Sequence, residues 1–140
     1  MTRALALDLG SVRIGVATSD PGRVIASPYD VIKRGKDHVV DHAAIAAAVD
    51  ESAATVVVIG LPRNMSGKET AAAQLVRAEA EELRAALTVP VVFWDERLST
   101  VTAQRSLIEG GMKRKARKGT VDKVAAAVIL QSWLDAGCPG

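Results

Sequence analysis

Apolar positions at the start of the chain fall in short runs separated by turn residues. Arg3–Leu9 reads as a strand, Gly10-Ser11-Val12-Arg13 as a link, and Ile14–Thr18 as a second strand. Pro21-Gly22 signals a turn before a third extended run through Val24–Val31. Links this short join antiparallel neighbours, because a parallel pair needs a long crossover, so a three-stranded meander is expected. From Asp37 to about Ser52 the period becomes helical, with Val40, Ala43, Ala44 and Ala47 on one face. Thr55–Ile59 is apolar on both faces and reads as a buried central strand. Gly60 to Lys68 is a loop, and Ser66 and Glu69 have capping-box spacing for a helix reaching about Leu87. That helix carries Ala72, Leu75, Val76, Leu83 and Leu87 on one stripe, with Arg77 and Glu81 as a surface pair. Pro90 precedes a fifth strand, Val91–Asp95. A helix after Ser99-Thr100 should stop at Gly110-Gly111, and Thr120 should cap a last helix to about Ala136. The expected architecture is α/β: a five-stranded mixed sheet, the antiparallel meander plus two parallel strands, with helices on both faces.

Composition narrows the classes. The chain has 140 residues, 49% hydrophobic and 24% charged, which fits one folded domain over 1–140 and excludes a disordered chain. No apolar run approaches the roughly 18 residues of a membrane span, and no secretory signal is read at the N-terminus. Cys138 is the single cysteine and forms no internal disulfide, so a cytoplasmic location is expected. Charge is unevenly placed. Residues 111–123 hold six cations and one anion, a net +5, which leaves −3 elsewhere in a chain whose net charge is +2. That asymmetry fits a polyanionic ligand meeting one face.

Three acids stand out. Asp8 lies in an apolar strand, Glu96 follows another, and Asp122 opens the last helical stretch beside a basic run. A carboxylate in such a strand is costly to bury unless it is paired or holds a cation. Three from distant segments suggest a shared site for hard divalent ions, which prefer oxygen ligands. Each has a plainer reading: Asp8 as a cap on the Gly10–Arg13 turn, Asp122 as a first-turn acid favoured by the helix dipole, and Glu96 or Asp95 as a partner of Arg97. Arg13 and Arg97 suit phosphate oxygens, or balance the neighbouring carboxylates. Lys68, after Ser66-Gly67 at a helix start, is a further phosphate ligand in this reading. The run Lys113, Arg114, Lys115, Arg117 and Lys118, between Gly110-Gly111 and Gly119, reads as a mobile clamp on substrate rather than a merely solvated loop. With few aromatic residues, backbone contacts rather than base stacking should dominate. His38 and His42, beside Asp37 and Asp41, read as a solvated helix face.

Four stretches carry a family resemblance: Leu7–Ala17 with Asp8-Leu9-Gly10-Ser11, Gly60-Leu61-Pro62 with Met65-Ser66-Gly67, Asp95–Thr100, and Lys118–Leu134 containing Asp122. In these the chain resembles the YqgF family, described as pre-16S rRNA nucleases and Holliday-junction-resolvase-like proteins of the ribonuclease H-like superfold. The resemblance implies that Asp8, Glu96 and Asp122 are catalytic ligands of Mg²⁺ or Mn²⁺, in all two ions, and it selects Glu96 over Asp95. It implies phosphodiester hydrolysis in RNA during ribosome biogenesis, or, alternatively, in four-way DNA junctions, where a homodimer would place two sites on symmetric strands. Two further classes remain: a small actin-like ATPase, from Asp8-Leu9-Gly10-Ser11, and a non-catalytic RNA-binding module.

Overall fold

The structure, a computed structural model, describes residues 2–63, 68–99 and 114–140, with side chains of the last helix from Val124 onward. The elements are β1 (Arg3–Leu9), β2 (Arg13–Ser19), β3 (Ala26–Lys33), α1 (His38–Ser52), β4 (Ala54–Leu61), α2 (Ala71–Ala86), β5 (Val91–Asp95), a 3₁₀ turn (Glu96–Leu98) and α3 (Arg114–Asp135). They form one sheet in the order β3-β2-β1-β4-β5. β1 pairs antiparallel with β2, and β2 with β3. β4 lies parallel between β1 and β5. The expected meander and parallel pair are both present, with β1 in the middle.

Two cores lie on the two faces. On one, Leu5, Leu7, Ile14, Val16, Val57 and Ile59 pack with residues of α1 and α2. On the other, Ala4, Ala6, Ala17, Val56 and Val58 meet Ala125, Ala126, Ile129, Leu130 and Trp133 of α3. The strands therefore alternate between two covered faces, as a buried sheet requires.

Several local expectations are corrected. β3 begins at Ala26, because the Val24 and Ile25 N–H groups donate to Asp20 Oδ1, both at 2.8 Å, instead of to a strand. The buried face of α1 is Asp41, His42, Ile45, Ala48 and Val49, whereas Val40, Ala43 and Ala47 are exposed. Alanine-rich helices give a weak apolar stripe, and here polar partners decide the orientation. α2 starts at Ala71 with Thr70 as its cap, accepting from the Ala73 N–H, so the Ser66–Glu69 capping box does not begin this helix. Its buried stripe is Ala73, Val76, Glu79, Ala80 and Leu83, and Leu75 is 72% exposed. Arg77 pairs with Glu69 rather than Glu81, which takes Arg84 instead. α3 extends back to Arg114, so the basic run is helical and Gly119 lies inside the helix. Arginine, lysine and alanine are strong helix formers, and one glycine costs only about 1 kcal/mol against alanine. The helix expected between Ser99 and Gly110 lies outside the described residues.

Candidate active site

Alternation along β1 sends Leu5 and Leu7 toward α1 and α2, and Ala4 and Ala6 toward α3. Asp8 continues the second set, and it is buried, at 6% exposure. β4 runs parallel to β1 with Leu7 beside Ile59, so the next step along the strands brings Gly60 alongside Asp8. β5 places Trp94 beside Gly60, and Glu96 follows two residues on, opening the 3₁₀ turn. A Cβ added at Gly60 would stand 2.6 Å from Ile129 Cδ1 and 3.0 Å from Glu96 Oε1. The Glu96 carboxylate thus occupies room that only glycine leaves. Asp8, Gly60 and Glu96 line one open pocket of about 630 Å³, together with Gly10, Ser11 and Pro62.

Both acids sit on braced turns. After Asp8, the Gly10 N–H donates to the Asp8 carbonyl at 3.0 Å, and a Cβ on Gly10 would meet the Arg13 carbonyl oxygen at 2.5 Å. Around Glu96, the Ser99 hydroxyl donates to the Glu96 carbonyl at 2.9 Å. Ser132 of α3 donates to the Leu98 carbonyl at 2.7 Å and accepts from Trp94 Nε1 at 2.9 Å. α3 therefore holds the segment that carries Glu96.

The opposite wall of the pocket is an ion network that sequence reasoning missed. Arg34, just past β3, donates from its backbone N–H to the Val12 carbonyl and from Nε to the Gly10 carbonyl, both at 3.0 Å. Its terminal nitrogens grip Glu79 at 2.6 and 2.8 Å and Asp41 at 3.1 Å. One side chain thus joins the turn after Asp8 to α1 and α2. Burial pushes the Glu79 carboxyl up, but hydrogen bonds from Arg34 and His42 outweigh it and hold Glu79 below its ordinary range. For Asp41, burial is outweighed by the Gly35 N–H and by Arg34. His42 is buried against Glu79, and His38 is half exposed against Glu82. The reading of Asp41 and His42 as a solvated face is therefore corrected: partners on α2 and beyond β3 make their burial affordable. The available signal was polar residues at buried spacing, Asp41 and His42 with Ile45, Ala48 and Val49, and Glu79 with Val76, Ala80 and Leu83.

Of the remaining sequence candidates, Arg13, Arg97 and Lys68 do not line this pocket. Arg13 opens β2 opposite Lys33 of β3 and is not part of the pocket lining. Arg97 grips Asp95 from Nε at 3.0 Å and from a terminal nitrogen at 2.7 Å, and Glu96 lines the pocket. Lys68 is exposed ahead of α2. Asp122, Arg114, Lys115, Arg117 and Lys118 lie within α3, but their side chains fall outside the described residues, as does Lys113 altogether.

Comparisons with known proteins bear on the whole chain. The profile of the family described as "RuvX: Holliday junction resolvase" matches residues 2–136. A protein of Paracoccus denitrificans named "Putative pre-16S rRNA nuclease" is 50% identical over 92% of this chain and 81% of its own length. One of the same name from Caldanaerobacter subterraneus is 48% identical over 95% of this chain and 96% of its own. Among solved structures, Thermus thermophilus RuvC in complex with a Holliday junction substrate superposes with a TM-score of 0.60. It is 14% identical, over 99% of this chain and 98% of that one. At that identity the likeness shows the fold, which is the ribonuclease H-like one expected. The resemblance read from the four motifs is borne out, and the chain belongs to the RuvX Holliday junction resolvase family, a family of nucleases whose reaction is phosphodiester hydrolysis.

Proposed function

We propose that this chain is one metal-dependent nuclease domain that cleaves RNA, in the maturation of pre-16S ribosomal RNA, through Asp8, Glu96 and Asp122. The observation that carries this reading is the Asp8 carboxylate, buried in the central strand and sharing a pocket with Glu96 across Gly60. The described donors of that pair are all carboxylate oxygens, the set that Mg²⁺ and Mn²⁺ prefer. In this reading Asp8, Glu96 and Asp122 together would hold two such ions. When bound, such ions supply an activated water and stabilise the departing oxygen. What supports Asp122 as the third ligand is its spacing, three, four and seven residues ahead of Ala125, Ala126 and Ile129, which pack on the Asp8 face.

The protein's own part is positioning. The Arg34 network and Gly10 fix the turn behind Asp8, and Ser99 and Ser132 fix the turn that carries Glu96. The basic residues Arg114, Lys115, Arg117 and Lys118 lie on α3 ahead of Asp122, where they would meet phosphate in this reading. Lys68, Arg13 and Lys113 extend the phosphate-binding surface in this reading, while Arg97 serves Asp95 first.

RNA is preferred as substrate because relatives 50% and 48% identical carry a ribosomal RNA nuclease name. The family's description supports one second reading, endonuclease action on DNA junctions by a dimer. No helix among the described residues is long and apolar enough to cross a membrane, consistent with a cytoplasmic enzyme. The test is cleavage of matched structured RNA, single-stranded DNA and four-way junction DNA, with Mg²⁺, with Mn²⁺ and with EDTA. The reading expects metal-dependent cutting of RNA, abolished by EDTA. Cutting of junction DNA alone, by a species of dimer mass, would replace it with the second reading.

A further inference from the structure

A second cluster of metal-ligating side chains lies where α1 meets α2. His38 and His42 stand one turn apart on α1, their rings stacked with centroids 5.4 Å apart. Glu79 faces them from α2. His42 Nε2 lies 2.9 Å from Glu79 Oε2, and His38 Nε2 lies 3.9 Å from the same oxygen. One donor atom from each of the three residues falls within 4.8 Å of the others. We infer that His38, His42 and Glu79 form a binding site for a borderline transition-metal dication of the Zn²⁺ class, separate in chemistry from the all-oxygen site at Asp8.

Four features support this. First, two imidazoles and one carboxylate are a Zn²⁺ donor set, whereas hard Mg²⁺ favours oxygen alone. Second, ligands about 2.0–2.1 Å from a tetrahedral ion stand roughly 3.3 Å from one another, and the observed 2.9 and 3.9 Å bracket that value, so small side-chain movements suffice. Third, His38 Nδ1 is 2.7 Å from Glu82 Oε2. A proton held there leaves Nε2, on the cluster side, with the lone pair, which is how carboxylates orient metal-bound histidines. An interhelical hydrogen bond between His42 and Glu79 explains those two residues but gives His38 and Glu82 no part. Fourth, His38 is half exposed and lines the same pocket as Asp8, which provides an entry path and room for a water as fourth ligand.

Arg34 sets the limits of the site. It holds Glu79 Oε1 through one terminal nitrogen and Oε2 through the other, and the second also reaches Asp41. An ion taking Oε2 therefore leaves that nitrogen with a carboxylate partner. Ligation through His42 Nε2 needs the ring N–H on Nδ1, so the hydrogen bond to Glu79 is exchanged for the ion. The neighbouring guanidinium charge keeps affinity below that of a closed structural zinc site. Binding would tie α1 to α2 at the pocket wall, and it stands whether or not the nuclease substrate is RNA.

Calorimetric titration with Zn²⁺ in excess Mg²⁺ tests the site, with Co²⁺ absorption as a readout of nitrogen ligation. The wild-type chain and Asp8→Asn should each take up one Zn²⁺, show Co²⁺ d–d bands, and melt at a higher temperature with Zn²⁺. His38→Ala should weaken binding at least tenfold and lose the bands, and Glu82→Gln should cost about 10–100-fold. Both substitutions touch exposed or half-exposed side chains, and Glu82→Gln carries the test should His38→Ala fold poorly. Absence of Zn²⁺ uptake by the wild-type chain, or equal uptake by wild type and both variants, overturns the inference.

Discussion

The two faces of the sheet bury carboxylates in opposite ways. On the α1–α2 face, Asp41 and Glu79 lie among large aliphatic side chains, and Arg34 neutralises both within 3.1 Å. On the α3 face, the alanines Ala4, Ala6, Ala17, Ala125 and Ala126 pack beside Val56, Val58, Ile129, Leu130 and Trp133. Asp8 and Glu96 sit at the end of that face, with Gly60 between them. Small residues let α3 lie close to the strands and bring Ile129 over Gly60, so carboxylate positions there are set by tight packing around a pocket. The first pair of acids is committed to the fold through a cation the chain itself supplies. The second pair lines a pocket, and the proposed function makes it a ligand set. Substitutions on the two faces should therefore separate stability from chemistry.

The largest effects should fall on the α3 face and on activity. Glu96→Gln keeps shape and removes charge, and nuclease turnover should drop on the order of 10³-fold or more. The double variant with Asp8→Asn should be scarcely worse than either alone, because members of one catalytic unit are not additive. Near-additive losses, measured as single-turnover rates, would separate the two residues functionally.

On the other face the expected loss is stability. Arg34→Met strands two buried carboxylates, a change that costs about 3–5 kcal/mol when one partner of a buried pair is removed. Denaturant melts near neutral pH measure it, and a loss under about 1 kcal/mol would demote the network to a surface pair. The same network fixes the acid response. Glu79 and Asp41 have folded pKa values below their ordinary 4.5 and 3.8. Their stabilisation is therefore fully present above about 4.5 and is lost as pH falls through the lowered values. The gap between wild type and Arg34→Met should shrink as melts are repeated from neutral pH downward, and a constant gap would mean that other groups govern acid unfolding.

Gly60→Ala tests the junction of the two acids. Its Cβ would meet Ile129 Cδ1 at 2.6 Å, so overpacking should cost about 1–3 kcal/mol. Turnover should fall further than stability explains, because Glu96 must also give way. A variant with wild-type kinetics would show that the Glu96 position is not critical.

The smallest effect concerns binding. Replacing Lys113, Lys115 and Lys118 by alanine should flatten the salt dependence of single-stranded RNA affinity by about two units in log–log slope, at roughly 0.7 per lost phosphate contact. Sequence preference should hold, since phosphate contacts position the strand without reading bases. Unchanged slopes would mean that this segment is only solvated.

What the sequence revealed, and what it hid, follows the same division of faces. Continuous apolar runs marked β1, β4 and β5, and a carboxylate inside the first of them marked Asp8 as costly to bury without a partner or cation. The family resemblance singled out Glu96, and the structure gives Asp95 to Arg97. The α1–α2 network was hidden because Asp41 and His42 read as solvent-facing until Arg34 and Glu79, the latter distant in sequence, are seen to reach them. Polarity predicts exposure only when no buried partner exists, and pairing across elements is a tertiary fact. The start of α3 was misplaced for the opposite reason. Gly119 looked like a break, yet the flanking Arg, Lys and Ala residues favour helix strongly enough to carry it.

The central claim is that Asp8 belongs to the chemistry and not to the scaffold, and one paired measurement tests it. Asp8→Asn and wild type are compared for RNA cleavage in saturating Mg²⁺ or Mn²⁺ and for melting temperature in the same buffer. The account predicts cleavage reduced to background with a melting temperature near that of wild type. Cleavage at the wild-type rate, or a collapse in melting temperature that accounts for the lost activity, would contradict it.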